Sequence, residues 1–314
     1  MGRILSGDAI FVRISLIHHP SAGDDDQPDA EALTRLLRHH SHTVRYQSAD
    51  EDIWGAVLDE PADLVVVAGG DGTVGRVARK LIGRDLPLAP LPLGTANNIS
   101  RTLGLTGRSI DEIVQGWRHA ERITFDAGVA QGPWGSRYFI EGFGIGLFAC
   151  TIPAAERSKT LQNLDEAQAK VAYAVGMLRE RLHRCPSLHL QMKLDGRSLS
   201  DDYVLFEAMN MEFVGPNLHL APDMRPNDGL LDVVLVTADE RDALEEPLSK
   251  WQHGSLERPH LTSHRARAIT LNWTGYEVHI DDEPWPGKGD QALPQSAQIE
   301  LEVLPNALEF LAPG

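Results

Sequence analysis

A run of glycines interrupted by one carboxylate follows the most apolar segment of the sequence. Asp63–Gly70 reads DLVVVAGG, and GGDGT at Gly69–Thr73 leads directly into a segment with helical spacing. Because its Leu-Val-Val-Val core is unbroken, the apolar segment predicts a strand that is buried on both faces of a parallel sheet. We expect the glycines to adopt positive φ and let the backbone approach a ligand, and Thr73 to cap the following helix.

The chemistry that this arrangement favours is phosphate binding. A helix N-terminus presents amide hydrogens to an anion, and open α/β sheets bind ligands at the carboxyl ends of their strands. No Lys-Ser or Lys-Thr pair follows the glycines, so backbone amides must hold the phosphate. Asp71 would repel a phosphate, which indicates a nucleotide bound together with a metal. The alternative is an ordinary strand-to-helix turn with Asp71 at the surface.

A second loop of similar character follows the next predicted strand. Leu86–Leu93 predicts a short strand, and Pro92–Asn98 reads PLGTANN before another helical segment. In a parallel sheet both loops emerge at the same edge, so they can contact one ligand. The two loops together therefore indicate nucleotide binding more strongly than either loop alone.

Strands and helices alternate through the first third of the chain. The predicted strands are Phe11–Ile17, His42–Gln47, Asp63–Gly70 and Leu86–Leu93, and the predicted helices are Pro28–His40, Glu51–Glu60 and Val74–Gly83. This alternation indicates βαβ units and a parallel sheet. We therefore expect a three-layer α/β nucleotide-binding domain over residues 1–128, to which a segment at about 300–314 returns.

Short strands separated by turn residues dominate the sequence from about Val129 onwards. The predicted strands are Tyr138–Ala149, Leu188–Leu194, Asp202–Met211, Leu230–Thr237, Ala268–Trp273 and Tyr276–Asp281. One long predicted helix, Asp165–Arg184, interrupts them. Its apolar residues could line a site for acyl chains, although packing against a core is the simpler interpretation. We expect a β-rich, sandwich-like domain over residues 129–299.

Charge and cysteine content exclude several classes of protein. The 314 residues include 45 Asp and Glu against 29 Lys and Arg, a net charge of −16. A charge this negative repels phosphate backbones, so we expect no nucleic-acid partner. No apolar run reaches the roughly 18 residues of a spanning helix. We expect no transmembrane segment, a cytoplasmic location, and free thiols at Cys150 and Cys185.

Several motifs, in this order, resemble the diacylglycerol-kinase catalytic-domain family of lipid kinases, which includes bacterial diacylglycerol and phosphatidylglycerol kinases, sphingosine kinases and ceramide kinases. Besides GGDGT and PLGTANN, the matching segments are HHPSAG (His18–Gly23), LAPDMRPNDGLLDVVLV (Leu220–Val236), IDDEP (Ile280–Pro284) and VLPNALEFLAP (Val303–Pro313). The resemblance implies two domains with the nucleotide between them. It also implies transfer of the γ-phosphate of ATP to a lipid hydroxyl, on a diacylglycerol-like, phosphatidylglycerol or sphingoid acceptor.

The resemblance also implies roles for individual residues. Those implied to bind ATP are Ser48, Gly69, Gly70, Asp71, Gly72, Thr73, Gly94, Thr95 and Asn97. Those implied to hold Mg²⁺ are Asp228 and the carbonyls of Arg225 and Leu230. Those implied to act in catalysis are Asp281 and Glu283, where the general base is sought, with Asp71 and Asp126. The implied partners are a lipid substrate, a transient membrane-surface contact and, as one option, a homodimer.

Three positions depart from the family pattern. Asn98 stands where the second loop of the family has an acid, and an amide lacks the charge that helps to hold Mg²⁺. Gly75 stands where many members have Asn or Glu, and Phe148 where many have Asp. These departures leave open a catalytically impaired nucleotide- or lipid-binding protein on the same fold. NAD kinases and phosphofructokinases are a third interpretation, because they also carry a GGDG turn, although PLGTANN looks unlike their second loop.

Overall fold

The computed structural model of the chain describes residues 12–23, 26–255, 259–286 and 294–312. The chain divides into two compact units. One extends to Phe125 and resumes at Asn306, and the other is formed by Asp126–Pro305. The first unit contains a parallel sheet with helices, and the second is mostly antiparallel strands. The predicted fold class, an α/β parallel-sheet domain followed by a β-rich domain, is therefore confirmed.

The elements within the described residues are numbered here in chain order. The strands are β1 (Arg13–His18), β2 (Thr43–Ser48), β3 (Leu64–Gly69), β4 (Leu88–Pro92), β5 (Glu121–Gly132), β6 (Gly135–Phe139), β7 (Gly142–Gly146), β8 (Leu188–Leu194), β9 (Arg197–Met209), β10 (Phe213–Val214), β11 (Leu218–His219), β12 (Leu231–Thr237), β13 (Thr262–Ala266), β14 (Ala268–Trp273), β15 (Val278–Ile280), β16 (Glu283–Trp285) and β17 (Ala297–Ala312). The helices are α1 (Ala30–His39), α2 (Asp71–Leu81), α3 (Asn98–Thr102), α4 (Ile110–Gly116), α5 (Leu147–Glu156), α6 (Lys159–Gln162), α7 (Ala167–Leu182) and α8 (Glu245–Gln252). Short 3₁₀ helices lie at Trp54–Asp59, Trp117–His119 and Arg241–Leu244.

The first unit is built on a parallel sheet with the strand order β2-β1-β3-β4, and the end of β17 pairs in parallel with β4. Every residue of β3 is buried, as its run of valines predicts. Helix α1 begins where the Asp29 side chain accepts a hydrogen bond from the amide of Ala32 at 2.7 Å. The predicted helix at Glu51–Glu60 is instead the 3₁₀ helix Trp54–Asp59, which no side chain caps.

The second unit contains antiparallel strands in the order β16-β15-β7-β9-β8-β14, followed by the first part of β17. Strand β12 also pairs with β9, and β13 pairs with β12. Fully buried aromatic side chains, among them Phe143, Phe206 and Trp273, form the centre of the core of this unit. Alternate residues along β8 are buried, which is the pattern of a strand with one face on a core.

Helix α5 occupies the end of a segment that the sequence predicts as a strand. The extended chain ends at Gly146, whose φ of +90° favours glycine, and α5 starts at the next residue. A Cβ atom at Gly146 would lie 2.3 Å from the carbonyl oxygen of Val204. The prediction of a strand through Ala149 is therefore wrong. Phe11, which begins the first predicted strand, and Pro313, which ends the segment Val303–Pro313, lie outside the described residues.

The two cysteines form a disulfide, so the prediction of two free thiols is wrong. Cys150 lies in α5 and Cys185 follows α7, and their Cα atoms are 6.4 Å apart. The cysteines are separated by 35 positions in the sequence. Only the packing of α5 against α7 brings them together, and neither residue lies in a local pattern that indicates this contact.

Reduction of the Cys150–Cys185 bond should lower the free energy of unfolding. The chain-entropy estimate for a loop of this length is about 3–4 kcal/mol, because the bond restricts the unfolded chain. Urea unfolding with and without a phosphine reductant measures the difference. The double variant Cys150→Ala/Cys185→Ala is the control and should not respond to the reductant. An equally stable wild-type protein under both conditions would contradict the prediction.

Candidate functional site

The GGDGT segment ends one strand and forms the first turn of the next helix. Gly69 is the last residue of β3, and Gly70 is the extended N-cap of α2, with φ −90° and ψ −176°. Thr73 therefore lies inside the helix, and the prediction that it caps α2 is wrong. Gly69, Gly70 and Gly72 do not have positive φ, so the expected reason for these glycines is also wrong.

The close approach of two loops explains instead why glycine is present at positions 70 and 94. A Cβ atom at Gly94 would lie 2.3 Å from the Cα of Gly70, and one at Gly70 would lie 3.2 Å from the Cα of Gly94. Strands β3 and β4 are parallel neighbours, and the amide of Leu93 donates to the carbonyl of Gly69 at 3.1 Å. The loops that follow β3 and β4 thus lie against each other at the carboxyl edge of the sheet, as the sequence predicts.

The Asp71 carboxylate connects these two loops. Its Oδ2 accepts a hydrogen bond from the amide of Asn98 at 2.8 Å, and its Oδ1 accepts one from the amide of Ile99 at 2.9 Å. These amides open α3, where a helix supplies no partners of its own. Burial lowers the pKa of the Arg101 guanidinium, and the charge of Asp71 partly opposes this effect. Asp71 therefore has a structural task, which explains its presence beside a candidate phosphate site.

Asn97 closes the second loop. The amide of Gly94 donates to Asn97 Oδ1 at 2.9 Å, and Asn97 Nδ2 donates to the carbonyl of Gly94 at 2.6 Å. Asn97 has a φ of +53°, a left-handed conformation that asparagine tolerates better than most residues. Thr95 lies half-buried inside the loop that this pair of bonds closes. The Asn97 side chain therefore fixes the shape of this loop.

The loop after β1 lies at the same edge of the sheet. A Cβ atom at Gly23, whose φ is +81°, would lie 2.1 Å from the carbonyl oxygen of Leu93. His18 ends β1 and pairs in register with Ser48, whose Oγ accepts from the amide of Asp50 at 3.3 Å. Burial, with a smaller effect of the His19 charge, lowers the pKa of His18. A pocket of about 420 Å³ lies beside this loop, lined by His18, Pro20, Ser21, Gly23, Gln27 and Asp29 among others.

The residues that the sequence assigns to nucleotide binding therefore lie together at the carboxyl edge of the sheet in the first unit. They are Ser48, Gly69, Gly70, Asp71, Gly72, Thr73, Gly94, Thr95 and Asn97. The glycine contact brings the start of α2 next to the loop after β4. An edge of this kind can bind an anion through backbone amides. A role for these residues in binding ATP stays a prediction.

In the second unit, Asp126 is fully buried and holds the loop in which the metal site is predicted. Its Oδ2 accepts from the amide of Gly229 at 2.7 Å. Its own amide donates to the carbonyl of Pro226 at 2.6 Å, and its carbonyl accepts from Asn210 Nδ2 at 2.8 Å. Asp126 is therefore a structural anchor of the loop at 225–230.

Within this loop the Asp228 carboxylate, which the resemblance assigns to magnesium, has partners in the protein itself. The Asp228 Oδ1 accepts from the amide of Leu230 at 3.1 Å, and its Oδ2 lies 3.4 Å from Nη1 of Arg265. A guanidinium beside the carboxylate opposes a second cation there. No group of three or more His, Cys, Asp or Glu within the described residues is placed to hold a metal. The magnesium site at Arg225, Asp228 and Leu230 stays a prediction.

Asp281 lies in the turn between β15 and β16, with a φ of +53° and 8% of its surface exposed. Its Oδ1 accepts from the amides of Ile140 at 2.9 Å, Glu141 at 2.8 Å and Gly142 at 3.3 Å. The amide of Asp281 donates to the carbonyl of Gly142 at 2.8 Å. The backbone that precedes β7 thus holds this carboxylate in one orientation.

Glu283, the other predicted catalytic residue of this motif, lies in a different environment. It begins β16, 56% of its side chain is exposed, and its Oε2 lies 3.6 Å from Nη1 of Arg137. An exposed ion pair of this kind contributes little to stability. The motif therefore places one carboxylate in the interior and one at the surface.

Sequence reasoning missed a buried pair beside Asp281. Glu207 on β9 and His279 on β15 have 0% and 2% of their side chains exposed, and His279 Nε2 lies 2.9 Å from Glu207 Oε1. The other ring nitrogen of His279, Nδ1, lies 2.7 Å from the backbone carbonyl oxygen of Asp281. A glutamate within the otherwise apolar run at 203–209 is the signal that could have indicated this pair.

Helix α7 packs along one face, and some of its apolar side chains are only partly buried. Val175 and Leu178 are buried, Val171 and Ala172 are half-buried, and Tyr173 is 36% exposed. The helix thus combines the core-packing role with an apolar surface that a ligand could contact. Across the part of the chain that the structure describes, no helix has both the length and the apolar character to span a bilayer.

Two family models match the chain. The model described as diacylglycerol kinase catalytic domain matches residues 13–130. The model described as YegS C-terminal NAD kinase beta sandwich-like domain matches residues 153–312. The chain belongs to the diacylglycerol-kinase family. The family resemblance that the motifs indicate is therefore confirmed.

Known proteins extend this match over nearly the whole chain. A diacylglycerol kinase from Mycobacterium tuberculosis is 29% identical over 295 residues, which are 90% of this chain and 88% of that relative. A crystal structure of a diacylglycerol kinase from Bacillus anthracis str. Sterne has a TM-score of 0.66 and 20% identity, covering 96% of each chain. A yeast NADH kinase complexed with NADH has a TM-score of 0.53 and 11% identity, covering 97% of this chain and 84% of that one. The two structures show a shared fold alone.

Replacement of Gly94 by alanine should destabilise the first unit. The new methyl group would collide with the backbone at Gly70, which no rotation of a side chain can relieve, and overpacking of this kind costs about 1–3 kcal/mol. Gly55→Ala is the matched control, because a Cβ atom there meets nothing within 4 Å. Urea unfolding should show a lower free energy for Gly94→Ala only. Equal values for both variants would refute the close contact.

Proposed function

We propose that this protein transfers the γ-phosphate of ATP to the hydroxyl group of a lipid acceptor. The observation that carries the proposal is the backbone contact between Gly70 and Gly94, which joins two strand-end loops at one edge of a parallel sheet. Membership of the diacylglycerol-kinase family supports a kinase that acts on lipids. The name of the Mycobacterium tuberculosis relative supports a diacylglycerol-like acceptor.

In this proposal backbone amides bind the phosphates of ATP. The first turn of α2 and the loop closed by Asn97 supply these amides, which need no reorganisation when the nucleotide binds. Asp71 directs its carboxylate to the amides of Asn98 and Ile99, and these dipoles offset part of its repulsion of phosphate. ATP enters as its magnesium complex, in which the metal belongs to the substrate and neutralises phosphate charge.

Asp281 is the proposed general base. Its carboxylate takes the proton of the lipid hydroxyl while the hydroxyl oxygen forms a bond to the γ-phosphorus. The bond from that phosphorus to the bridging oxygen breaks, and ADP leaves. The three amides at residues 140–142 fix the direction in which Asp281 presents its carboxylate. Asp126 and Glu283 stay candidates for catalytic roles, the first through the loop that it anchors.

The apolar half-exposed surface of α7 is the proposed contact for acyl chains. Ala172 is half-buried and Tyr173 is 36% exposed, and both lie outside the face that packs through Val175 and Leu178. A lipid acceptor resides in a bilayer, so the proposal requires transient contact with a membrane surface. The cytoplasmic location and the homodimer stay predictions.

A kinase assay with labelled ATP and a panel of lipids tests this function. The panel contains diacylglycerol, phosphatidylglycerol and a sphingoid base in mixed micelles, each with Mg²⁺ and with Mn²⁺. We expect label to enter at least one lipid, and removal of the divalent metal to abolish the transfer. Binding of ATP in calorimetry without transfer to any acceptor would favour the alternative, a catalytically impaired nucleotide-binding protein.

Asp281→Asn should lower kcat by about 10²–10⁴-fold, the usual contribution of a general base. The amide oxygen of asparagine can still accept the hydrogen bonds from residues 140–142, so the fold and the KM for ATP should change little. Asp282→Asn is the matched control, because it removes an exposed carboxylate from the same turn. Steady-state kinetics of both variants give the comparison, and equal kcat values would remove Asp281 from the mechanism.

A further inference from the structure

Three neighbouring strands of the second unit have one residue each in register beside the Asp281 turn. Strand β7 lies between β9 and β15, and its Gly144 is opposite Glu207 on one side and His279 on the other. Residues in register on neighbouring strands project from the same face of a sheet. Glu207 and His279 therefore flank Gly144 on one face.

The missing side chain at Gly144 allows the two flanking side chains to meet. Two strands separated by a third lie about 10 Å apart, so Glu207 and His279 must both reach across the middle strand. A Cβ atom at Gly144 would lie 2.1 Å from both Glu207 Oε1 and His279 Nε2. The pair thus depends on a glycine at this register position.

Burial of the Glu207–His279 pair has a desolvation penalty, and packing alone does not explain why these residues are present. Both side chains are buried, and the ring of Phe148 lies 6.1 Å from that of His279. Burial raises the pKa of Glu207, and within the described residues its Oε2 has no hydrogen-bond partner. Burial also acts to lower the pKa of His279, but Glu207, through its charge and hydrogen bond, and Asp281 together outweigh it, so the pKa is raised. Apolar residues of similar volume would avoid the desolvation penalty, which indicates a role beyond stability.

His279 extends the pair to the backbone of the turn. Its Nδ1 lies 2.7 Å from the carbonyl oxygen of Asp281, and a carbonyl can only accept, so Nδ1 carries a hydrogen and donates. This bond holds the carbonyl of a residue in the left-handed region, a conformation that is unfavourable for most side chains. The imidazole therefore links Glu207, in the interior, to the peptide unit that orients Asp281.

We propose that Glu207 and His279 are positioning residues that hold the Asp281 turn in the conformation required for phosphoryl transfer. The catalytic part of this inference rests on the proposed function. Neither residue contacts the reacting atoms. The pair acts through the backbone of Asp281, and a displacement of about 1 Å in a reacting group can cost about 10²-fold in rate.

Two substitutions of His279 separate the two contacts of the ring. The amide nitrogen of asparagine reaches the position of Nδ1 and keeps the bond to the carbonyl of Asp281. The amide of glutamine reaches the position of Nε2 and keeps only the contact with Glu207. We expect His279→Gln to lower kcat by about 10²-fold. His279→Asn keeps the bond to the turn and loses only the support of Glu207, so it should lower kcat by a smaller factor, with the KM for ATP unchanged in both variants. His189→Gln, which breaks a histidine–carboxylate pair with Asp202 on the surface, is the control and should keep wild-type kcat.

Hydrogen–deuterium exchange of the full chain gives a readout that does not need kinase activity. The amides of residues 140–142 donate to the Asp281 carboxylate, so they report directly on the position of the turn. Faster exchange of these amides in His279→Gln than in His279→Asn supports the inference. Equal exchange in both variants, or wild-type kcat in an active His279→Gln enzyme, would overturn it. If the wild-type chain phosphorylates no lipid, the proposed function is overturned. The exchange experiment still decides the positioning role, because it does not need kinase activity.

Discussion

The direct contact of two backbones at Gly70 and Gly94 is the interaction on which the candidate nucleotide site depends. A Cβ atom at either position would force the backbone at the other position to shift. Neither glycine has a positive φ. Because the loops are this close, the carboxylate of Asp71 can reach the first amides of α3. A side chain between the loops would separate them and leave those amides without their acceptor. The spacing of two strand-end loops therefore fixes the geometry of the whole edge.

Carboxylates that hold backbone amides recur through the molecule. Asp126 accepts from Gly229, Asp281 accepts from three consecutive amides, and Asp195 accepts from the amides of Arg267 and Ala268 at 3.0 and 2.9 Å. Each of these bonds fixes the backbone of a loop or turn. A carboxylate that accepts several amides also has a fixed direction, which is what a base aimed at a substrate requires. Structural and chemical roles of an aspartate are thus compatible in this fold.

Features that depend on local sequence patterns could be predicted from the sequence, whereas features that depend on contacts between distant segments could not. The valine run of β3 and the alternation of strands and helices are local patterns, and they predict the first unit well. The motifs place the two nucleotide loops at one edge, because parallel strands end there together. The reasons for the glycines, the pairing of the two cysteines and the start of α5 at Gly146 depend on contacts between distant segments. No local pattern encodes such contacts, and Glu207 was missed because it lies in no motif.

The bond between Cys150 and Cys185 turns the intervening segment into a closed covalent ring. The ring contains residues 150–156 of α5, all of α6 and all of α7, including the partly exposed Ala172 and Tyr173. If a protease cuts one peptide bond within the ring, the two resulting pieces stay attached through sulfur. A single nick would then leave the molecule in one piece on a non-reducing gel and in two on a reducing gel. The surface proposed to meet acyl chains is thus tethered at both ends against loss from the enzyme.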